Sequence, residues 1–295
     1  GIYLCGPTVQ APPHVGHLRS AVVFDQLRRW LQIGHDLDVT LVRNITDLDD
    51  KILAASQTVG VPWWAWAARH ERAFADAYRK IGILPPTIEP RATGHVTDMV
   101  ELMELLIERG HAYPAADGSG DVYFDVRAAQ SATDWRLGQV SAMGPDEMAA
   151  VFPERGGDPD RPGKRDPLDP LLWRVHREGE PAWDGRSLGS GRPGWHIECS
   201  VISRAHLPAP FTVQGGGSDL RFPHHEFSAA HATAVDGLPL AHTYAHTGMV
   251  ALDGEKMSKS LGNLELVSRL RARGVEPVAV RAAILAHHYR SDWEW

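Results

Sequence analysis

The hydrophobic and polar positions of the N-terminal part predict a strand, a helix and a second strand in succession. Residues 2–4 form a short apolar run typical of a buried strand, and apolar residues recur at helical spacing over residues 18–31. Residues 39–45 are β-branched and apolar between polar neighbours, which predicts a second strand parallel to the first. This βαβ order predicts an α/β fold built on a parallel sheet.

The pattern further along the chain predicts helices, then a polar segment, then a return of strand and helix signals. Residues 54–81 are helical with a break at 60–62, and the helix over 97–109 stops at Gly110. From 113 to 191 the composition shifts toward Gly, Pro, Asp and Arg around a short strand at 121–126. Residues 155–166 are too polar and Pro-rich for regular structure, which favours a solvated loop or a binding lip.

Composition limits the classes of protein that fit this pattern. The 295 residues are 43% hydrophobic, enough for a globular core, while a net charge of −7 confines any nucleic-acid contact to a local surface. No apolar run of membrane-spanning length and no signal peptide is seen, so a cytoplasmic protein without membrane contact is expected. Because Gly1 opens directly into a strand and Trp295 follows a helical pattern, we expect a fragment trimmed at both ends.

The turn between the first strand and the first helix carries candidate chemistry. His14, Gly16 and His17 lie in it as H-x-G-H, at a predicted helix N-terminus where backbone N–H groups and the helix dipole attract phosphate. Gly16 leaves room for a flat base or ribose. A Pro-rich turn with surface histidines is the alternative on this segment alone. A second candidate, residues 255–263, places Lys256 and Lys259 in a loop that can close on a polyphosphate.

Three further residues combine into a candidate metal site. Cys5, Cys199 and His224 are distant in sequence, but each lies at the end of a predicted strand or the start of a helix. Two thiolates and one imidazole suit zinc, and an open fourth position is the catalytic arrangement. A disulfide between the cysteines, or two buried thiols with a core histidine, are the alternatives. A glycine turn precedes His224, and it supplies Gly215, Gly216, Gly217 and Asp219.

H-x-G-H early and K-M-S-K-S late, in this order, resemble the paired signature of class I aminoacyl-tRNA synthetases. The whole chain is similar to their cysteine-activating branch, which contains cysteinyl-tRNA synthetases and mycothiol-pathway cysteine ligases. The resemblance implies a Rossmann-like core that forms cysteinyl adenylate from L-cysteine and ATP with Mg²⁺ and a zinc ion. It implies these roles: zinc ligands Cys5, Cys199 and His224; cysteine-binding residues Gly6, Thr46, Trp195 and Asp219; catalytic residues His14, His17, Lys256 and Lys259; nucleotide-binding residues Gly16, Gly215, Gly216, Gly217, Lys256 and Lys259.

The resemblance is mixed with respect to the acceptor of the cysteinyl group. Cysteinyl-tRNA synthetases usually follow their double histidine with Glu-Asn-Glu, whose last Glu is a fourth zinc ligand, but Ser228 stands at that position here. In this respect the chain resembles the ligases, whereas C-G-P-T-V and D-D-K in the first third resemble the tRNA synthetases. An aminosugar-inositol acceptor is favoured; tRNA(Cys) and another amine remain alternatives. Whether substrate thiolate or water compensates for Ser228 is left open.

The resemblance also implies a division of the chain into four segments. Residues 1–112 and 191–248 are expected to form the two halves of the catalytic core, 113–190 a connective insertion, and 249–295 the lysine loop and the start of a helical domain. The oligomeric state is left open, with a monomer favoured. A nucleotidyltransferase without amino-acid activation should lack the Cys, Cys, His trio, and a non-catalytic paralogue should lose the histidines or lysines. Both alternatives are therefore ranked low.

Overall fold

The computed structural model describes residues 1–252, 254–257 and 262–295. Contacts divide the chain into two compact units. The first unit contains residues 1–91, 213–219 and 245–295, and the second contains residues 92–212 and 220–244.

Ten α-helices occur within the described residues: α1 (Val15–Arg29), α2 (Asp50–Val59), α3 (Trp63–Lys80), α4 (Val96–Glu108), α5 (Val126–Ala132), α6 (Pro145–Glu154), α7 (Trp195–His206), α8 (Glu226–Asp236), α9 (Val267–Ala272) and α10 (Pro277–Leu285). The described part of the chain also contains eleven strands: β1 (Ile2–Leu4), β2 (Leu41–Arg43), β3 (Ala112–Pro114), β4 (Val122–Phe124), β5 (Leu171–Val175), β6 (Gly191–Pro193), β7 (Phe211–Gly217), β8 (Ala241–Thr247), β9 (Val250–Leu252), β10 (Glu255–Lys256) and β11 (Trp293–Glu294).

The first unit is built on a sheet with the strand order β2-β1-β7-β8. β1 pairs in parallel with both β2 and β7, so the turns that follow these strands leave the same edge of the sheet. Ile2, Leu4 and Leu41 are buried against Phe24 of α1, which explains why their apolar runs form strands. The predicted parallel α/β sheet is confirmed.

Helix boundaries in the first unit follow local sequence signals. Asp49 caps α2, because its side chain accepts a hydrogen bond from the backbone N–H of Lys51. Gly60 ends this helix in the left-handed conformation, with φ of 72°, and Pro62 precedes α3. The break predicted at 60–62 is therefore confirmed.

A buried arginine fastens the C-terminal segment to α1 within the first unit. Arg19 is 1% exposed, and its guanidinium donates to the carbonyl oxygens of Ile284 at 2.9 Å and His288 at 2.7 Å. The guanidinium also lies 5.5 Å from the ring of Trp293 in β11. Burial is the main cause that lowers the pKa of Arg19. Because these carbonyl oxygens satisfy the two terminal nitrogens of the guanidinium, residues 284–293 and α1 hold each other in place.

The second unit combines an antiparallel sheet, in the order β3-β4-β5-β6, with helices α4 to α8. The predicted strand at 121–126 and helix at 97–109 are found as β4 and α4. Residues 155–166 contain no helix or strand, as predicted. The loop is nevertheless anchored and not simply solvated: the side chain of Lys164 is 2% exposed and its Nζ donates to Asp158 at 3.0 Å.

The four-segment division expected from the sequence stays a prediction. No described helix is both long enough and apolar enough to cross a membrane.

Candidate active site

His14 and His17 lie together at the start of α1. The ring centroids are 3.7 Å apart, and the rings of His17 and Phe74 form a T-shaped pair with centroids 5.0 Å apart. His14 Nδ1 accepts from the backbone N–H of Gly16, and His17 Nδ1 accepts from the backbone N–H of His14, both at 3.2 Å. A neutral imidazole that accepts at Nδ1 carries its hydrogen on Nε2. The Nε2 atom of each ring therefore carries a hydrogen, and such a donor is of the type that suits the oxygen atoms of a phosphate.

The backbone amides of this helix turn are already used. The N–H of Val15 donates to the carbonyl of Glu265 at 3.1 Å, and the N–H of His17 donates to the carbonyl of His14 at 3.0 Å. Because the N–H of Gly16 is bound to the His14 ring, all three N–H groups have partners within the protein, and direct attraction of phosphate by the backbone stays a prediction. The capping box and the carbonyl of Glu265 therefore satisfy the N–H groups of this turn.

Backbone bonds join the H-x-G-H turn to residues 265–267, which follow the lysine loop, within the first unit. Val267 donates to the carbonyl of Pro13 at 3.1 Å, and His14 forms an isolated antiparallel bridge with Leu266. The chain that follows the lysine loop is thus fixed to the H-x-G-H turn. Lys256 lies in β10, opposite Ala251 of β9. Lys259 and the Lys256 side chain lie outside the described residues.

The turn after β1 is fixed by close backbone packing. Gly6 donates its N–H to Asn44 Oδ1 at 2.9 Å, and a Cβ at position 6 would lie 1.6 Å from the Asn44 carbonyl oxygen. Only glycine fits there without a backbone shift. Asn44 also donates to the hydroxyl of Thr46 at 3.2 Å, which is 2% exposed and bridges to Thr8. Two predicted cysteine-binding residues, Gly6 after β1 and Thr46 after β2, are thus connected through the side chain of Asn44.

The glycine turn after β7 is shaped by the protein's own side chains. A Cβ at Gly215 would lie 2.4 Å from the ring of Phe24, and one at Gly217 would lie 2.5 Å from Oδ1 of Asp219. The carbonyl of Gly216 accepts from the Thr247 hydroxyl at 3.5 Å. Packing against the buried Phe24 ring therefore accounts for glycine at 215, whereas a Cβ at 217 would closely approach only the end of the Asp219 side chain. A ligand-binding role for the three glycines stays a prediction.

Cys5 follows β1, and its surroundings suit a thiolate. Its backbone N–H donates to the carbonyl of Gly215 at 3.0 Å. The side-chain amide of Gln214, which is 1% exposed, donates to Cys5 Sγ at 3.3 Å. A donor aimed at sulfur stabilises the negatively charged form that binds metals.

In the second unit, Trp195 and Cys199 lie on α7, and His224 lies in the short π-helical turn Arg221–His225 before α8. The rings of Trp195 and His224 stack with centroids 4.4 Å apart and an interplanar angle of 23°. His224 Nδ1 is 3.2 Å from Nδ1 of His196. Burial, above all, lowers the pKa of His196 well below its ordinary value, so this ring is neutral at pH 7.

Two of the predicted metal ligands lie close together in the second unit. The ligand atoms of Cys199 and His224 are within 4.8 Å of one another. Cys5 belongs to the first unit, and its place in the ligand set stays a prediction. Neither cysteine forms a disulfide, which removes that alternative. Since Nδ1 of His224 faces His196, Nε2 is the nitrogen left for a metal. Two thiols and an imidazole form a donor set that fits zinc.

The polar residues that follow His224 have structural partners. The Ser228 hydroxyl donates to the carbonyl of His196 at 3.1 Å. Glu226 accepts from the indole N–H of Trp135 at 3.1 Å and from the backbone N–H of Ser141 at 2.8 Å. Burial, as the largest cause, raises the pKa of Glu226. The carboxylate of the H-H-E sequence therefore anchors the turn at 135–141, and Ser228 ties α8 to α7.

The whole chain that carries this site matches one protein family. The family described as "tRNA synthetases class I (C) catalytic domain" matches residues 1–295. The chain belongs to this family. Its fold agrees, because Mycobacterium tuberculosis methionyl-tRNA synthetase in complex with methionyl-adenylate superposes with a TM-score of 0.74 at 17% identity. The match covers 100% of this chain and 65% of that synthetase.

Relatives of this class I synthetase domain carry two different names. A protein of Micrococcus luteus, "L-cysteine:1D-myo-inositol 2-amino-2-deoxy-alpha-D-glucopyranoside ligase", is 72% identical over all of this chain and 70% of its own length. A ligase of the same name from Paenarthrobacter aurescens is 54% identical, with 100% and 71% covered. A "Cysteine--tRNA ligase" of Cutibacterium acnes is 52% identical, with 100% and 58% covered. The chain thus spans under three quarters of each of these relatives.

Sequence reasoning missed three residues that shape this class I site. His196, Gln214 and Asn44 contact predicted site residues directly. His196 was detectable, because W-H-I-E-C places it three residues before Cys199, on the same face of a helix. Gln214 and Asn44 gave no comparable signal, since their contacts cross from one strand to the next.

Proposed function

We propose that this chain activates L-cysteine with ATP and transfers the cysteinyl group to the amine of an aminosugar-inositol. The observation that carries this proposal is the 72% identity, over the whole chain, with a ligase whose name states both substrates. In the first step the cysteine carboxylate attacks the α-phosphorus of ATP and displaces pyrophosphate. In the second step the acceptor amine attacks the acyl carbon, which forms an amide and releases AMP.

The adenylation step is assigned to the turn before α1 and to the lysine loop. The Nε2–H groups of His14 and His17 are proposed to donate to phosphate oxygens as negative charge develops in the transition state. Lys256 and Lys259, with Mg²⁺, are proposed to neutralise the departing pyrophosphate. Support comes from the backbone bonds between Pro13–Val15 and Glu265–Val267, because they hold one flank of the lysine loop beside the histidines.

Zinc held by Cys5, Cys199 and His224 is proposed to supply selectivity for cysteine. A bound zinc ion binds a thiolate strongly and an alcohol poorly, which separates cysteine from serine. Trp195 stacks on His224 and keeps this ring from turning. Thr46, Gly6 and Asp219 are proposed to orient the amino and carboxyl groups of the amino acid.

Ser228 supports a site with three protein ligands. Its hydroxyl is used between α7 and α8, so it does not replace the fourth carboxylate ligand of the tRNA synthetases. We propose that the substrate thiolate, or water in its absence, takes this position. No described residue is an evident base for the second step, and an amine that attacks an adenylate needs little beyond positioning.

Transfer to tRNA(Cys) is the second candidate, because the Cutibacterium acnes relative is 52% identical. The deciding experiment offers radiolabelled cysteine and ATP to the protein with total tRNA in one reaction and glucosaminyl-inositol in another. Label on the aminosugar supports the ligase, and label on tRNA overturns it in favour of the synthetase. Label on neither, with pyrophosphate exchange intact, contradicts both acceptors. The cytoplasmic location and the monomeric state stay predictions.

A further inference from the structure

His196 contacts a proposed zinc ligand directly and has no role in the function proposed above. It is the second residue of α7, and its side chain is 6% exposed. Its Nδ1 lies 3.2 Å from Nδ1 of His224. Two imidazole nitrogens at this distance share one hydrogen, so one ring donates and the other accepts.

The direction of this bond determines whether His224 can bind a metal. When Nδ1 of His224 carries the hydrogen, its Nε2 has a lone pair for zinc. In the opposite tautomer the hydrogen lies on Nε2 and blocks coordination. Stacking on Trp195 fixes the plane of the His224 ring but does not select between these tautomers. The partner at Nδ1 is the group that selects.

The position of His196 is itself fixed by α7 and α8. Its carbonyl oxygen accepts from the hydroxyl of Ser228 at 3.1 Å and from that of Ser200 at 3.3 Å. Its ring contacts Phe227, with centroids 5.7 Å apart. His196 therefore presents Nδ1 to His224 from a rigid base.

We propose that His196 is a positioning residue: it accepts the Nδ1–H of His224 and thereby keeps Nε2 of His224 available to zinc. This inference rests on the proposed zinc site. His196 is not itself a ligand in this arrangement, since its acceptor nitrogen is occupied by the bond to His224.

Zinc affinity, measured by competition with a chromophoric chelator, tests the proposal without recourse to activity. His196→Leu removes the acceptor, and we expect it to weaken zinc binding about tenfold to a hundredfold. His196→Asn offers an amide oxygen near the place of Nδ1 and should stay within about threefold of the parent. His231→Leu is the matched control, because His231 is buried in the same helix pair but bonds Ser200 rather than His224.

These measurements distinguish an error in the role of His196 from an error in the proposed zinc site. Parent-like zinc affinity in His196→Leu, or an equal loss in the Leu and Asn variants, would overturn the role of His196 while the zinc site stands. A parent protein that binds no zinc would instead remove the zinc site itself. Should His196→Leu fail to fold, ¹⁵N chemical shifts of the histidine rings in the zinc-loaded parent decide: coordination of His224 through Nε2 is expected, and coordination through Nδ1 contradicts the proposal.

Discussion

The imidazole of His14 occupies the space that a side chain at residue 16 would need. A Cβ at Gly16 would lie 2.9 Å from Cε1 and 3.0 Å from Nδ1 of His14. The same ring accepts the N–H of Gly16, so the position of the first histidine depends on glycine two residues later. This relationship explains the glycine of H-x-G-H by the protein's own packing.

Gly16→Ala should impair adenylation more than folding. The added methyl must push the His14 ring by a few tenths of an ångström, which misplaces Nε2 against the phosphate. We expect cysteine-dependent ATP–pyrophosphate exchange to fall about tenfold to a hundredfold, with unfolding free energy within about 1 kcal/mol of the parent. Gly144→Ala is the control, because a Cβ there meets nothing within 4 Å. Unchanged exchange would show that the ring tolerates the shift.

Gly6→Ala should instead destabilise the protein. The new Cβ would collide with the backbone carbonyl of Asn44, and backbone cannot rotate away as a side chain can. We expect a loss of about 1–3 kcal/mol in the free energy of unfolding, measured in urea. Gly94→Ala is the control, because a Cβ at position 94 has open space. Its free energy of unfolding should stay within about 0.5 kcal/mol of the parent value. Equal stability of the two variants would mean that the turn after β1 adapts.

Cys199→Ala should remove bound zinc and cysteine-dependent pyrophosphate exchange together. The thiol is the donor that α7 contributes, and no second cysteine on that helix replaces it. Metal content by mass spectrometry and the exchange rate are the two measurements. Ser203→Ala is the control: Ser203 is also buried, one turn further along α7, and the variant should keep both the bound zinc and the exchange activity. An alanine variant that retains exchange and still rejects serine would refute selection by zinc.

Lys259→Ala should slow adenylate formation far more than it weakens cysteine binding. A lysine that meets charge developing on the departing pyrophosphate stabilises the transition state selectively, and its loss costs about 10²–10³ in rate. Single-turnover adenylation and equilibrium cysteine binding separate the two effects. Lys80→Ala, where the lysine pairs with Asp76 on α3, is the control. If rate and binding changed equally, Lys259 would serve ground-state binding.

His231 should make stability depend on pH in the acid range. Burial is the main cause that lowers its pKa from 6.5 to about 3. Below pH 6.5 the unfolded chain takes up a proton that the folded chain does not, so this residue reduces stability by about 1.4 kcal/mol per pH unit. Above that pH its contribution is fully present.

The measurement is urea unfolding of the parent and of His231→Asn at pH 7 and pH 5, with a chelator present. The parent should lose about 2 kcal/mol more than the variant between these pH values. If both proteins lost the same free energy of unfolding between pH 7 and pH 5, His231 would be protonated in the folded state or reached by water.

Local sequence signals predicted most elements of this fold. The apolar runs became β1 and β2 because their side chains are buried on both faces of a parallel sheet. Gly60 and Gly110 end helices because glycine readily adopts the left-handed backbone conformation found there. Such features depend on neighbours in the chain. Local signals did not predict the burial of Lys164, because its packing over Tyr123 and Phe152 depends on residues distant in sequence.

The sequence by itself determined the family. The order and spacing of H-x-G-H, K-M-S-K-S and the cysteine and histidine residues were sufficient, because a phosphate site or a zinc site can be built only from certain residue types. Only the tertiary structure decided how these residues are held. It showed that the amides at the start of α1 are bound to Glu265 and His14, that Glu226 anchors a turn, and that His196 faces His224. The physical reason is that a hydrogen bond between distant residues depends on the packing of strands and helices, which no local pattern encodes.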